Sequence, residues 1–221
     1  NMAVSYPKIP SPLFRGFTDS EWKCLYSLPT LRRRTFERHA TIFHSGDSIS
    51  EIGIVLSGSA RIEANDPWGN RTLLNRIEPG QIFGESYALT CSPLMVDVIA
   101  AETGEILFLP AAIFLDSTHT DSCRQKLRQN MMLLSLQKNL TLSTRIFCTS
   151  PKTIRGRLSV YFTRQCSLTG ANEFDIPFNR NELADYLNLD RSALSKELGK
   201  MKNEGLLAFH KNHFQILKPF E

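Results

Sequence analysis

The chain has 221 residues, of which 42% are hydrophobic, and its 26 Lys and Arg residues against 22 Asp and Glu give a formal net charge of +4. This length allows one large or two modest domains with packed cores, and the composition excludes a disordered or low-complexity protein. The sequence contains no run of about 18 apolar residues that would span a membrane. We interpret Asn1, before Met2, as an expression remnant, and we expect a cytoplasmic protein without a membrane partner.

The distribution of charge and cysteine adds two constraints. Residues 151–221 hold 11 Lys and Arg against 8 Asp and Glu, so the positive excess lies mainly in this C-terminal segment. The five cysteines form no Cys-x-x-Cys pair; they are Cys24, Cys91, Cys123, Cys148 and Cys166. Their scatter predicts reduced thiols, and we expect neither a disulfide framework nor a clustered metal site.

The N-terminal half predicts a short helix followed by a small antiparallel β barrel. The helix is expected over residues 19–28, with Trp22, Leu25 and Tyr26 on one side. From Arg34 to Pro110, short segments rich in β-branched and aromatic residues are separated by glycine-containing turns about ten residues apart. Strands are expected at residues 52–56, 60–63, 71–77 and 106–109, with a hairpin turn at Trp68, Gly69 and Asn70.

Beyond Pro110 the apolar pattern becomes helical, and one long helix is expected over residues 122–147. A seven-residue seam predicts that Leu127, Met131 and Leu134 contact a second subunit, as in a two-stranded coiled coil. The helix is apolar on more than one side because of further residues, which are Met132, Leu133, Leu136, Leu140 and Leu142. The alternative is a helix buried entirely within its own domain.

The C-terminal segment begins at a break in the helical pattern. The Thr-Ser-Pro sequence at residues 149–151 predicts a hinge, and a further helix is expected over residues 152–169. Phe174, Ile176 and Phe178 alternate as a strand. At the end of the chain, two apolar segments around residues 210–213 predict a β hairpin.

Residues 178–205 predict two short helices joined by a tight turn. Asn179 and Glu182 have the spacing of a capping box for the first helix, and Asp190 is expected to cap the second. The exposed face of the second helix is expected to carry Arg191, Ser192, Ser195, Lys196 and Lys200. Cations and hydroxyls at the first turns of a helix are typical of the helix that a helix-turn-helix places in the major groove of DNA. An ordinary helical hairpin with a solvated face is the alternative.

The order of these parts resembles the Crp/Fnr family of transcription regulators. The resemblance rests on the segments HSGDSISEIGIVLSGSARIE, PGQIFGES and ELADYLNLDRSALSKELGKMKNEGLL, which begin at His44, Pro79 and Glu182. It implies an α+β protein with a cyclic-nucleotide-binding-type β-roll that senses an effector over residues 1–118. A dimerisation helix over residues 119–148 and a winged helix-turn-helix DNA-binding domain over residues 149–221 are implied to follow.

The sequence departs from the family pattern in the expected effector pocket. Gly84, Glu85 and Ser86 match the Gly-Glu pair and the residue after it in the family members that bind cyclic nucleotides. Those members then have an Arg and a small hydroxyl residue for the cyclic phosphate, whereas this chain has Leu94, Met95 and Val96 there. A buried phosphate needs charge-assisted donors, and these three residues supply none. We therefore expect an unknown small-molecule effector, apolar or weakly polar, or none, and no cofactor. Cys91 is a further candidate as a redox switch.

The resemblance also implies roles in DNA reading. Arg191, Ser192 and Lys196 fall where family members that respond to cyclic AMP have base-contacting Arg, Glu and Arg, and Ser195 matches a Ser of the oxygen-sensing members. Asn179 and Arg180, at the start of the first helix, are expected to contact phosphates. The implied partners are double-stranded DNA, a second copy of the chain, and RNA polymerase if the protein is an activator.

Two other classes of function remain as alternatives. A scaffold that kept the roll but lost DNA binding would show a degraded recognition helix, and residues 191–196 argue against it. An enzyme built on the barrel would need a nucleophile, an acid–base pair or a metal set, whereas Glu85 is a lone carboxylate in the expected pocket. We therefore expect no enzymatic activity and no metal site.

Overall fold

The computed structural model describes residues 7–65 and 71–220. Asn1 and the predicted turn at Trp68, Gly69 and Asn70 lie outside this part of the chain. The chain divides into two compact units, one ending at Ser135 and the other beginning at Leu136. None of the helices in the described residues is long and apolar enough to cross a membrane.

The first unit begins with a short 3-10 helix, Pro12–Phe14, and the predicted helix α1, Asp19–Tyr26. Helix α1 starts at this point because Thr18 forms a capping box with Glu21, which satisfies backbone N–H groups of the first turn. Trp22 and Leu25 are buried, as the spacing predicted. The helix ends at Tyr26, two residues before the predicted end.

The predicted antiparallel β-roll is confirmed, with eight strands in two four-stranded sheets. The strands are β1 Arg32–Phe36, β2 Thr41–Phe43, β3 Glu51–Val55, β4 Ala60–Asn65, β5 Arg71–Ile77, β6 Ile82–Phe83, β7 Asp97–Ala100 and β8 Gly104–Pro110. One sheet has the order β1-β8-β3-β6 and the other β2-β7-β4-β5, and the pairs are antiparallel. Apolar side chains that include Phe83 and Phe108 fill the interior.

The turn between β3 and β4 shows why the sequence has glycine there. Gly58 has a φ of +70°, and a Cβ atom at this position would lie 2.6 Å from the carbonyl oxygen of Thr103. Both the left-handed backbone and the close approach require glycine. The glycine turns of the sequence therefore correctly indicated where the strands of the roll end.

Three helices follow strands of the roll: α2 Glu85–Thr90, α3 Ala112–Leu115 and the long helix α4 Ser122–Thr149. Helix α4 agrees with the predicted helix to within two residues and ends before Ser150 and Pro151, as expected. The division between the two units falls inside α4. Its first half packs with the roll and its second half with the C-terminal unit.

The first half of α4 corrects one of the sequence-based assignments. Leu127 is fully buried and Met131 is 4% exposed, both within the apolar core that contains Leu13 and Trp22 of the same chain. Leu134 packs partly against that core. These residues were predicted to contact a second subunit, but Leu127 and Met131 have no exposed surface to offer one. The seam in the sequence therefore marks the face of α4 that covers its own domain.

A second apolar face of α4 is exposed. Leu133, Leu136, Leu140 and Phe147 lie on it, and we call these four residues the exposed stripe of α4. Their side chains are 45%, 52%, 68% and 60% exposed. Their separations of three, four and seven residues are those of a coiled-coil seam. Met132, Leu142 and Ile146 are also exposed.

The C-terminal unit has the predicted order of elements. It contains α5 Ile154–Thr169, β9 Glu173–Asp175, α6 Arg180–Leu187, α7 Arg191–Asn203, β10 Leu207–His210 and β11 His213–Ile216. The strands form one antiparallel sheet in the order β10-β11-β9. Strand β9 is shorter than expected, because Ile176 and Phe178 lie beyond its end. Leu158, Phe162, Leu194, Leu198 and Phe214 are fully buried in the core of this unit.

Candidate nucleic-acid interface and effector pocket

Both helices of the predicted helix-turn-helix begin at the expected capping residues. The side chain of Asn179 accepts hydrogen bonds from the backbone N–H groups of Asn181 and Glu182, at 2.9 and 3.0 Å. The Asp190 carboxylate accepts from the N–H of Ala193 at 2.8 Å. Between the helices, Asn188 adopts a left-handed φ of +53°, a conformation that Asn tolerates better than most residues. These caps fix where α6 ends and where α7 turns back.

Helix α7 has one buried and one exposed face. Leu194, Leu198 and Met201 have no exposed surface. The predicted reading residues Arg191, Ser192, Ser195, Lys196 and Lys200 are all exposed. The ammonium group of Lys200 lies 3.6 Å from the carboxylate of Glu197 on the same helix. The structure therefore collects the predicted donors and cations on one outer face of a well-anchored helix.

The predicted phosphate-contacting residues have structural contacts of their own. Asn179 uses its side-chain oxygen for the cap, and Arg180 packs against the wing formed by β10 and β11. The Arg180 guanidinium carbon lies 4.8 Å from the centre of the Phe209 ring and 5.0 Å from that of Phe214. One terminal nitrogen is buried without a hydrogen-bond partner, and burial lowers the pKa of the guanidinium. Arg180 therefore packs between rings of the wing, whatever else it contacts.

Arginines that the sequence analysis did not single out hold the two helices in place. Arg145 of α4 donates to the carbonyl oxygens of Asp185 and Tyr186, at 2.9 and 3.1 Å. Arg157 of α5 donates to those of Leu187 and Asn188, at 3.0 and 2.8 Å. The carbonyls at the end of a helix have no partner within it, so these two side chains satisfy the C-terminus of α6.

Arg155 connects α5 to both ends of the second half of α7. Its guanidinium donates to Glu197 at 2.7 Å and to both carboxylate oxygens of Glu204 at 2.7 and 2.8 Å. The two carboxylates raise the pKa of Arg155, and Arg155 lowers that of Glu204. These partners are 42 and 49 residues away in the chain, so no local pattern could have identified them.

The wing carries a histidine between two carboxylates. The Nδ1 atom of His213 lies 3.0 Å from Asp175 Oδ1, and its Nε2 atom lies 2.9 Å from Glu173 Oε1. These contacts raise the pKa of His213 above the ordinary 6.5, with Glu173 contributing most. His213 thus connects strand β11 to strand β9.

The predicted effector residues lie on two segments of the roll. Gly84 adopts a left-handed φ of +79° immediately before α2, whose first residue, Glu85, is 7% exposed. Ser86 is exposed. On the other segment, Leu94 and Val96 are 3% and 9% exposed.

Met95 corrects the predicted lining of the pocket. Its side chain is 79% exposed, so it lines no enclosed pocket in this chain. The reason is that successive residues of an extended segment point to opposite sides. Leu94, just before it, is held by backbone hydrogen bonds from Gly46 N–H and to the Asp47 carbonyl, at 2.7 and 2.9 Å. Cys91, the candidate redox residue, is also exposed.

Comparison with known proteins agrees with both units. The sequence model of the cyclic nucleotide-binding domain matches residues 33–121, and that of the Crp-like helix-turn-helix domain matches residues 156–220. The transcriptional activator protein FnrA of Stutzerimonas stutzeri is 24% identical over 191 residues, which cover 84% of this chain and 77% of that protein. The cyclic AMP receptor protein of Thermus thermophilus is 30% identical over 99 residues, 45% of each chain.

Solved structures show the same fold. The crystal structure of the Thermus thermophilus catabolite activator protein is 23% identical and covers 93% of each chain with a TM-score of 0.51. CprK complexed with OCPA is 14% identical and covers 85% of each chain with a TM-score of 0.59. The β-roll, the helix-turn-helix and the two matching domain models, in this order along one chain, identify the protein as a member of the Crp/Fnr family of transcription regulators.

Proposed function

We propose that this regulator reads DNA through the exposed face of α7, with Arg191, Ser192, Ser195 and Lys196 facing base edges. The observation that carries the proposal is the placement of these four exposed side chains on a helix whose opposite face is fully buried. Arg191 and Lys196 have the chemistry to pair with guanine acceptors. Ser192 is shorter and less selective than the Glu of the cyclic-AMP-responsive members, so the preferred half-site differs from theirs.

The test separates reading from general charge attraction. A binding site is selected from random DNA, and the affinity of Lys196→Ala is measured on matched sites and on single-base variants. We expect a loss of roughly 1–3 kcal/mol that is confined to one base position. Lys202→Ala is the matched control, because it removes the same charge from the same helix on the side where Lys202 packs over the Phe209 ring. An equal loss on every sequence would show that Lys196 does not read a base.

We also propose that the protein binds an inverted repeat as a homodimer. The exposed stripe of α4 supports this, because an apolar surface of this kind on a regulator needs a partner and its spacing fits a second copy of α4. A two-fold dimer presents two α7 helices, so its half-sites lie about one helical turn of DNA apart. We propose RNA polymerase as a further partner if the protein activates transcription, and the cytoplasm as its compartment.

The proposed effector of the roll is a small molecule other than a cyclic nucleotide. Leu94, Met95 and Val96 replace the donors that a cyclic phosphate requires, and Met95 is exposed. We propose that the roll acts by binding and not by catalysis, because the expected pocket residues include neither an acid–base pair nor a metal-ligand set.

A further inference from the structure

A cluster of potential metal ligands lies in the first unit, away from the residues considered so far. It joins Cys24 of α1 to Asp121 and Cys123 at the start of α4, and the three ligand atoms lie within 4.8 Å of one another. The sequence predicted scattered thiols, but folding brings two of them together. We propose that Cys24, Asp121 and Cys123 bind one thiophilic divalent cation of the Zn²⁺ class.

The spacing of the ligand atoms fits a tetrahedral ion. With Zn–S near 2.3 Å and Zn–O near 2.1 Å, a sulfur and an oxygen on the same tetrahedral ion are separated by about 3.6 Å. The Sγ atom of Cys24 lies 3.6 Å from Oδ1 of Asp121, where its thiol donates a hydrogen bond. An ion would therefore replace a thiol proton between atoms that already have the required separation.

The surrounding contacts hold the carboxylate ready. Asp121 Oδ1 accepts a hydrogen bond from the backbone N–H of Arg124 at 3.0 Å, and Oδ2 pairs with the Arg124 guanidinium. Hydrogen bonds to a ligating carboxylate of this kind orient the ligand at known metal sites. The Asp121 side chain thus has a fixed position at the N-terminus of α4, whether or not an ion is bound.

The charges of the loaded site balance. Two thiolates and one carboxylate carry three negative charges, and the divalent ion with Arg124 carries three positive charges. The nearby Glu21 is paired with Lys126 at 3.0 Å and adds no net charge. Binding releases the two thiol protons to solvent, so the ion replaces two protons with no change in oxidation state.

The donor set selects the class of ion. Two sulfur ligands favour Zn²⁺ and similar soft ions, whereas Ca²⁺ and Mg²⁺ take oxygen ligands. Cys123 is 1% exposed, while Cys24 is half-buried, so solvent reaches the cluster from the Cys24 side and a water molecule completes the tetrahedron. A disulfide between the cysteines is less favoured, because burial raises the pKa of Cys123 to about 12 and suppresses the reactive thiolate.

Titration with Co²⁺, a coloured substitute for Zn²⁺, tests the proposal on the reduced, chelator-treated full chain. We expect one equivalent of Co²⁺ to produce thiolate-to-metal absorption and one equivalent of Zn²⁺ to remove it. Cys24→Ser should abolish this absorption. Asp121→Asn should weaken Co²⁺ binding by about tenfold or more, and it keeps an oxygen that caps α4, so the variant should fold.

Cys91→Ser is the control, because Cys91 is an exposed thiol outside the cluster. It should bind Co²⁺ like the wild type. The proposal is overturned if the wild type develops no thiolate absorption, or if Cys24→Ser or Asp121→Asn binds Co²⁺ as tightly as the wild type. Formation of a Cys24–Cys123 disulfide with diamide, in a protein that binds no Co²⁺, would assign the pair to redox chemistry and also overturn it.

Discussion

At the scale of single residues, Arg180 has a structural role that can be measured. Arg180→Ala should lower the free energy of unfolding of the C-terminal unit by about 1–2 kcal/mol, because its guanidinium contacts two rings of the wing in a partly desolvated site. Urea denaturation followed by circular dichroism gives this value. The exposed Arg191 is the control, and Arg191→Ala should change stability by less than about 0.5 kcal/mol. Equal effects of the two substitutions would show that the ring contacts contribute nothing.

His213 makes the stability of the wing depend on pH. Its pKa is raised in the folded protein by Glu173 and Asp175, so its contribution is complete below the ordinary pKa of 6.5 and is lost as the pH rises through the folded pKa. Protonated His213 is attracted to both carboxylates, and the residue paired with it on strand β10 is His210. We expect the urea midpoint of the C-terminal unit to fall as the pH rises above 6.5.

The corresponding variant is His213→Gln, which keeps a polar side chain but cannot take up a proton near neutral pH. Its midpoint should change less across the same interval than that of the wild type. Because His213 is fully exposed, the difference between the two proteins should be small. Identical pH profiles would mean that the two carboxylates do not act on His213 in the folded state.

At the scale of elements, the two apolar faces of α4 predict opposite consequences of the same substitution. Leu136→Lys with Leu140→Lys should give folded monomers that bind DNA weakly, because both side chains are exposed on the proposed dimer face. Met131→Lys should instead destabilise the roll, because it places an ammonium group in the core of its own unit. Sedimentation velocity reports the mass of each variant and circular dichroism reports its folding. A wild-type protein that is monomeric at micromolar concentration would contradict the homodimer.

The arginines around the helix-turn-helix show that an element can depend on distant residues for its ends. Capping at the start of α6 and α7 is local and was predictable from Asn179 and Asp190. The end of α6 is satisfied instead by Arg145 and Arg157, which come from other helices. Local sequence therefore predicts where these helices begin better than it predicts what supports their far ends.

At the scale of the whole molecule, the proposed function separates the effector from the cyclic nucleotides that part of the family recognises. Isothermal titration of the full chain with cyclic AMP or cyclic GMP should give no binding in the micromolar range, since the segment that would supply phosphate donors is apolar and Met95 faces solvent. DNA affinity should likewise be the same with and without either nucleotide. A fitted micromolar Kd for one of them would overturn this part of the proposed function.

The sequence by itself determined the order of elements, the N-terminal caps and the buried face of the helix-turn-helix. Each of these follows from residues close together in the chain: glycine turns, capping pairs and apolar residues at strand or helix spacing. Tertiary structure decided which apolar face of α4 is buried. The sequence favoured Leu127 and Met131 as dimer contacts, but helical periodicity records that a face is apolar without recording which surface covers it.

Tertiary structure likewise decided how Arg180 packs against the wing, where Met95 points and that Cys24 meets Asp121 and Cys123. Each of these depends on residues that approach only when distant segments fold together. The thiol of Cys24 and the carboxylate of Asp121 are 97 positions apart, and the pairing of α1 with α4 alone brings them within reach. Periodicity and spacing describe one segment at a time, whereas contacts between segments depend on the packing of the whole unit.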